Sequence, residues 1–297
     1  MQRPCPLHGR PTETSPTPFT RGPWQLVRCL ETGFVYLPNP PAYEALSEEH
    51  AWEATATAER ERRRREEPAF SRLSAGWKRV RRGLSRSRQP FATILASRLA
   101  RDGGAGVGDG AAERPLIVDV GCADASFTIG VATRVAEAGF AVRMVGIEVS
   151  RALAARARER FAAIGGEAIE APAIEGLRSL PACSTTAVLM SSFLEHEARP
   201  LELLREVRRV LRPGGFAIVK VPNFACWNRY LRGGRWCGFR YPDHVNYFTP
   251  RTLRILSEHA GLGCEQGPLD RLPISDNMYA VLVRPAAGQS ATRQMAA

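Results

Sequence analysis

The chain has 297 residues, 44% of them hydrophobic and 24% charged, with a formal net charge of +11. That is room for one large domain with additions, and no apolar run approaches the ~20 residues that a spanning helix requires. The prolines of MQRPCPLHGRP stand where a signal peptide needs an apolar core, and the 7 scattered cysteines make no disulfide framework, so a cytoplasmic protein with reduced thiols is expected.

Residues 1–41 carry Cys5-Pro-Leu-His8-Gly9 and Cys29-Leu-Glu-Thr32-Gly33. Two turns with ligands at this spacing resemble an eroded zinc ribbon built on Cys5, His8 and Cys29. Thr32 is a poor fourth ligand, so zinc is not expected. Residues 42–100 read as a basic helical extension or lid. Tyr43 to Pro68 forms a solvated helix, Phe70 to Leu84 a second, and Phe91, Ile94, Leu95 and Leu99 share one apolar face. Arg60 to Arg101 accounts for the whole net charge. With Lys78 and Lys220 the only lysines, its arginines reflect either a general arginine preference or a face for an anionic substrate, nucleic acid or membrane surface.

A glycine-rich linker at 101–113 leads into residues 114–286, where apolar runs alternate with amphipathic stretches. The first run, Leu116 to Val120, enters a turn at Gly121 and then a helix from Phe127 to Glu137. Such a turn offers backbone N–H groups and a helix N-terminus to a nucleotide-like ligand. The second strand, Val142 to Val149, contains Glu148, placed where doubly wound folds hold ribose hydroxyls. Ser150 caps a helix over Arg151 to Ile164, Glu167 to Glu170 is a third strand, and Thr186 to Met190 a fourth. A helix from Arg199 to Leu211, the turn Arg212-Pro213-Gly214-Gly215 and a strand from Phe216 to Val221 follow. The order implies parallel strands joined by helices, and a disordered tail is expected at 287–297.

Three blocks, VDVGCADASF, GIEVS and FLEHEARPLELLREVRRVLRPGGFAIVKVPN, occur in the order and spacing found in class I S-adenosylmethionine-dependent methyltransferases, which residues 88–284 resemble. PDHVNYFTPRTLRILSEHAGL is similar to members acting on sugars, quinones and other small metabolites. The resemblance implies an α/β fold: a doubly wound, Rossmann-like seven-stranded sheet whose last strand, Met278 to Arg284, is antiparallel. It also implies S-adenosylmethionine as cofactor, held by Asp119, Gly121, Cys122, Asp124, Glu148, Ser191, Ser192 and Phe193. Ala123 and Ala125 occupy the second and third glycine positions of the family's G-x-G-x-G loop, where a methyl group restricts positive φ. A nicotinamide enzyme is set aside because G-x-G-x-x-G is absent.

Methyl transfer is an in-line displacement for which a base is optional. His196, or His244 oriented by Asp243, is the candidate base. Ser192 stands where related quinone enzymes have a carboxylate, so no divalent metal is expected. Trp227 to Tyr241 interleaves aromatics and arginines, and Arg229, Trp236, Arg240 and Tyr241 are candidates for holding a planar or phosphorylated small-molecule acceptor. The same pattern suits single-stranded nucleic acid, which keeps an RNA methyltransferase or nucleic-acid-binding module as the rival, and a degenerate, non-catalytic domain as a further alternative. The oligomeric state and the acceptor atom are unassigned.

Overall fold

The computed structural model describes residues 3–41, 61, 65, 90–101 and 114–286. Apart from the helical Glu61 and Arg65, the helices expected at 43–68 and 70–84, together with the linker and tail, lie outside the described residues. In chain order the elements are β1 (Thr14–Arg21), β2 (Trp24–Cys29), β3 (Val35–Tyr36), α1 (Pro90–Arg101), β4 (Leu116–Val120), α2 (Ser126–Glu137), β5 (Arg143–Glu148), α3 (Arg151–Ala162), β6 (Glu167–Glu170) and α4 (Ala173–Arg178). They continue with β7 (Thr185–Ser191), α5 (Pro200–Val210), β8 (Leu211–Pro222), α6 (Trp227–Arg232), β9 (Asn246–Tyr247), α7 (Pro250–His259), β10 (Gly263–Glu265), α8 (Pro268–Arg271) and β11 (Asn277–Val283).

The large sheet has 7 strands in the order β10-β11-β8-β7-β4-β5-β6. β4 lies parallel between β5 and β7, and β11 runs antiparallel to both β8 and β10. This is the expected seven-stranded architecture. Residues alternate across β4, so Val118 and Val120 pack on one face with α5 and α7 while Ile117 packs on the other with α1, α2 and α3. On α5, Leu203, Leu204, Val207 and Val210 are fully buried, each contributing roughly 1.5–3 kcal/mol of burial. Strand order reverses between β4 and β7, the switch point at which doubly wound sheets open a crevice beyond their carboxyl ends.

Two boundaries differ from expectation. α5 stops at Val210 because Leu211 is extended, and β8 begins there rather than at Phe216. The Pro213-Gly214-Gly215 turn is thereby absorbed as an irregularity, with the register stepping from Thr185↔Leu211 to Ala187↔Phe216 and Gly214 at φ +78°. At the N-terminus, residues expected as a ribbon make a second sheet of 4 strands, β1-β2-β3-β9, in which Val35 and Tyr36 pair with Tyr247 and Asn246. No described helix is long and apolar enough to cross a membrane.

Candidate functional site

At the carboxyl end of β4 the chain turns through Gly121, at φ +73°. A Cβ there would lie 2.4 Å from the Phe193 ring, so the position demands glycine on both conformational and steric grounds. The two alanines of this loop take the same left-handed conformation that glycine would, Ala123 at φ +50° and Ala125 at φ +61°. The turn's donors are not open to a ligand as expected: the N–H groups of Gly121 and Cys122 both donate to the Ile147 carbonyl, at 2.9 and 3.1 Å, and that of Ala125 to Cys122.

Glu148, at the end of β5, accepts from the Ala123 N–H and from the Ser150 N–H, each at 2.9 Å. Asp119 is buried and bonded to the Thr128 hydroxyl; burial raises its carboxyl to about 7, with the Thr128 bond opposing and the Glu148 charge adding. Two expected ligands also make contacts within the fold. Cys122 packs its thiol over Gly146 in the core, and Asp124 accepts from Ser126 at the start of α2 while pairing with Arg160. Ser192, at φ +60°, accepts a bond from Lys220 Nζ at 3.2 Å, and Phe193 lies against Gly121. Ser191 is the last residue of β7.

The second half of the site follows β7. The 194–197 segment is fixed by its neighbour β9: the Val245 and Asn246 N–H groups donate to the Glu195 carbonyl, and Asn246 Nδ2 donates to the carbonyls of Leu194 and Glu197 at 3.0 and 2.7 Å. Glu195, His196 and His244 converge, each offering a ligand atom within 4.8 Å of the others, and the two rings meet edge to face at 4.7 Å. His196 Nδ1 faces the Asp243 carbonyl at 3.0 Å and His244 Nδ1 the Gly238 carbonyl at 2.8 Å. A carbonyl oxygen only accepts, so both neutral rings carry the proton on Nδ1 and a lone pair on Nε2. Burial, and then the Arg240 charge, lower His196 to about 4. Burial raises Glu195 to about 7 against its own backbone N–H, Lys220 and Arg240.

The Gly238 carbonyl holds the His244 ring through Nδ1, and Asp243 Oδ2 accepts from Arg240 Nη2 at 3.1 Å. Two of the expected acceptor-binding residues are structural. Trp236 is 1% exposed among Phe224 and Phe239, with its indole N–H on Asp276 at 2.8 Å. Arg229 caps the Phe224 carbonyl and lies over the rings of Phe224 and Tyr230. Arg240 and Tyr241 remain with the site. Glu195 Oε2, His196 Nε2, Arg240 Nε and the hydroxyls of Tyr241 and Tyr247 are all buried without a hydrogen-bond partner.

Glu195, Asn246 and Tyr247 are not among the site residues expected from sequence, and Lys220 enters there only as one of two lysines. The available signals were the Glu195-His196 adjacency, a lysine in an arginine-rich chain, and the two residues after Val245 in the quoted loop block. The other predicted ligand set, Cys5, His8 and Cys29, also converges, in the N-terminal segment.

A family model described as a methyltransferase domain matches residues 77–266. No curated protein matches the chain. Among solved structures it is similar to a SAM-dependent methyltransferase from Archaeoglobus fulgidus, at 17% identity over 70% of this chain and 99% of that one, with a TM-score of 0.44. It is also similar to a SAM-dependent methyltransferase from Aquifex aeolicus (14% identity, 66% and 89% covered, TM-score 0.46) and to the YcgJ protein of Bacillus subtilis (11% identity, 67% and 99% covered, TM-score 0.47).

Proposed function

The chain belongs to the methyltransferase-domain family, and from that premise we propose that it is an S-adenosylmethionine-dependent methyltransferase acting on a hydroxyl of a small polar acceptor, with Glu195 as proton acceptor. The observation that carries this reading is that Glu195 Oε2, His196 Nε2 and Arg240 Nε, brought together where Glu195 and His196 converge and the Arg240 charge acts on both, are buried without hydrogen-bond partners. Buried donors and acceptors are normally satisfied, and a polar ligand seated among them would satisfy these.

S-adenosylmethionine supplies, when bound, an electrophilic methyl group on a sulfonium. The chain fits it at the ends of β4 and β5. Gly121 leaves room for close approach, and each oxygen of the Glu148 carboxylate can accept more than one bond, which suits ribose hydroxyls. On the acceptor side, Nε2 of His196 accepts a hydrogen bond that orients the hydroxyl. Burial raises the Tyr241 phenol far above its usual range and the Tyr247 phenol likewise, so both stay protonated and donate. A carboxyl near 7 is half ionised at neutral pH, the best compromise for a base; His196 near 4 is too weak to compete. The seven free thiols support a reducing, cytoplasmic compartment.

Radiolabelled methyl transfer into fractionated extract, with and without ribonuclease, identifies the acceptor class. Label in a small-molecule fraction, unaffected by ribonuclease, is expected; ribonuclease-sensitive label would favour the RNA reading, and no label in any fraction the degenerate one. With the acceptor in hand, kcat/KM should rise as Glu195 ionises, through about pH 7, and Glu195→Gln should lose roughly 10²-fold or more together with that limb. A profile flat from pH 5 to 8 would move the base to His196. The Glu195, His196 and His244 cluster also favours a second reading, a divalent cation that aligns the acceptor. Activity abolished by chelator and restored by magnesium would select it.

A further inference from the structure

Outside this site, the described residues hold one other convergence of metal-ligating side chains. Cys5 Sγ, His8 and Cys29 Sγ lie within 4.8 Å of one another, and neither cysteine is in a disulfide. They are presented by two turns of the same construction. In the first, the His8 and Gly9 N–H groups fold back on the Cys5 carbonyl at 3.1 and 2.9 Å; in the second, the Gly33 N–H folds back on Cys29 at 2.9 Å. Gly9 and Gly33 close them at φ +68° and +72°. Each turn therefore aims its first and fourth residues at one point. His8 Nε2 is buried with no hydrogen-bond partner, and the nearest carboxylate oxygen, on Glu31, is 3.4 Å away.

We propose that Cys5, His8 and Cys29 bind a single zinc ion, with no side-chain ligand in the fourth position because Thr32 occupies the place of the fourth ligand. Two thiolates and an imidazole are the donors that borderline-soft zinc prefers, and two thiolates neutralise its charge, which a site with both cysteines fully buried requires. Thr32 does not serve as a ligand: its hydroxyl accepts from the Phe34 N–H at 3.2 Å. The proposal departs from the expectation that losing one ligand abolishes the site. It also gives the ion a structural role. Leu7 lies in the main core with Leu201, Leu253 and Leu256, its carbonyl meets His259 Nδ1 of α7 at 2.7 Å, and β3 passes from the second turn to β9 beside His244. An ion that cross-links the two turns would tie this segment to the elements that hold the acceptor side.

The test uses the full-length reduced protein and zinc or cobalt alone. One zinc per chain by elemental analysis is expected, with a sulfur-to-cobalt charge-transfer band and the intense visible bands of four-coordinate cobalt on substitution. Cys29→Ser should lose both, and chelator should lower the thermal midpoint of the wild type but not that of Cys29→Ser. Thr32→Cys supplies the missing ligand and should tighten zinc by more than the ~10-fold that even an outer-shell partner is worth. Should Cys29→Ser fail to fold, the wild-type cobalt spectrum and Thr32→Cys decide alone. The proposal is overturned if wild-type protein with all thiols titratable takes up no zinc, if only Thr32→Cys binds it, if cobalt binds without the sulfur band, or if Cys5 and Cys29 are recovered as a disulfide.

Discussion

Ala123 and Ala125 stand where the family's loop has glycine, yet both keep the left-handed backbone, so the turn is preserved at the expense of strain. An L-residue with a Cβ held there costs about 1–2 kcal/mol. At Ala123, Gly would relieve that strain while adding only ~0.4–1 kcal/mol of unfolded-state entropy, so Ala123→Gly should raise stability by up to about 1 kcal/mol in urea denaturation. At Ala125, which is fully buried, loss of the methyl burial cancels the gain and little net change is expected. Destabilisation of Ala123→Gly by more than 0.5 kcal/mol would show that the methyl packs productively. The same residue scale bears on the proposed base, Glu195. Nothing in Ser191-Ser192-Phe193-Leu194-Glu195-His196 distinguishes a helix-start acid from a buried one; its burial, in a segment pinned by Val245 and Asn246 about 50 residues downstream, lifts its pKa against the opposing Lys220 and Arg240 charges.

At the scale of elements, legibility followed periodicity. The Leu201, Leu204 and Val207 face fixed α5, and β4, β5 and β7 were each placed within about a residue, because a strand buried on both faces reads as an unbroken apolar run. The second sheet was not legible. β1 is an alternation of threonine and proline, β3 and β9 are two residues each, and their pairing joins positions more than 200 apart, which no local pattern encodes. Trp236 misled for a related reason, since an aromatic between arginines looks like a ligand platform until Asp276, just before β11, supplies its partner. What holds the segment down is Arg3, whose guanidinium donates to the carbonyls of Leu37, Ala198 and Val245 and to Asn246 Oδ1. Arg3→Ala should cost roughly 2–4 kcal/mol, because hydrogen bonds to a charged group are worth about 1.5–3 kcal/mol each and the carbonyls left behind find water only in part. Because Val245 and Asn246 also fix Glu195, the variant should raise KM for the acceptor. A loss below 0.5 kcal/mol with unchanged KM would mean that β9 holds without this anchor.

On the scale of the whole molecule, strand order decides where chemistry can occur. β4, β5 and β6 run to one side of the switch point and β7 and β8 to the other, so Gly121 and Glu148 end on one side of it and Ser192, Phe193 and Glu195 on the other, and β9 joins the N-terminal sheet to the second side. Cofactor on the first side and acceptor on the second is the arrangement that an in-line transfer requires. Calorimetric titration of S-adenosylmethionine into the full-length protein and into Glu148→Ala tests this most directly. Stoichiometric binding by the wild type, weakened at least ~10-fold in a folded Glu148→Ala, or about 1.4 kcal/mol, is predicted. Absence of binding by folded wild-type protein at millimolar ligand, or equal affinity in the two proteins, would contradict it.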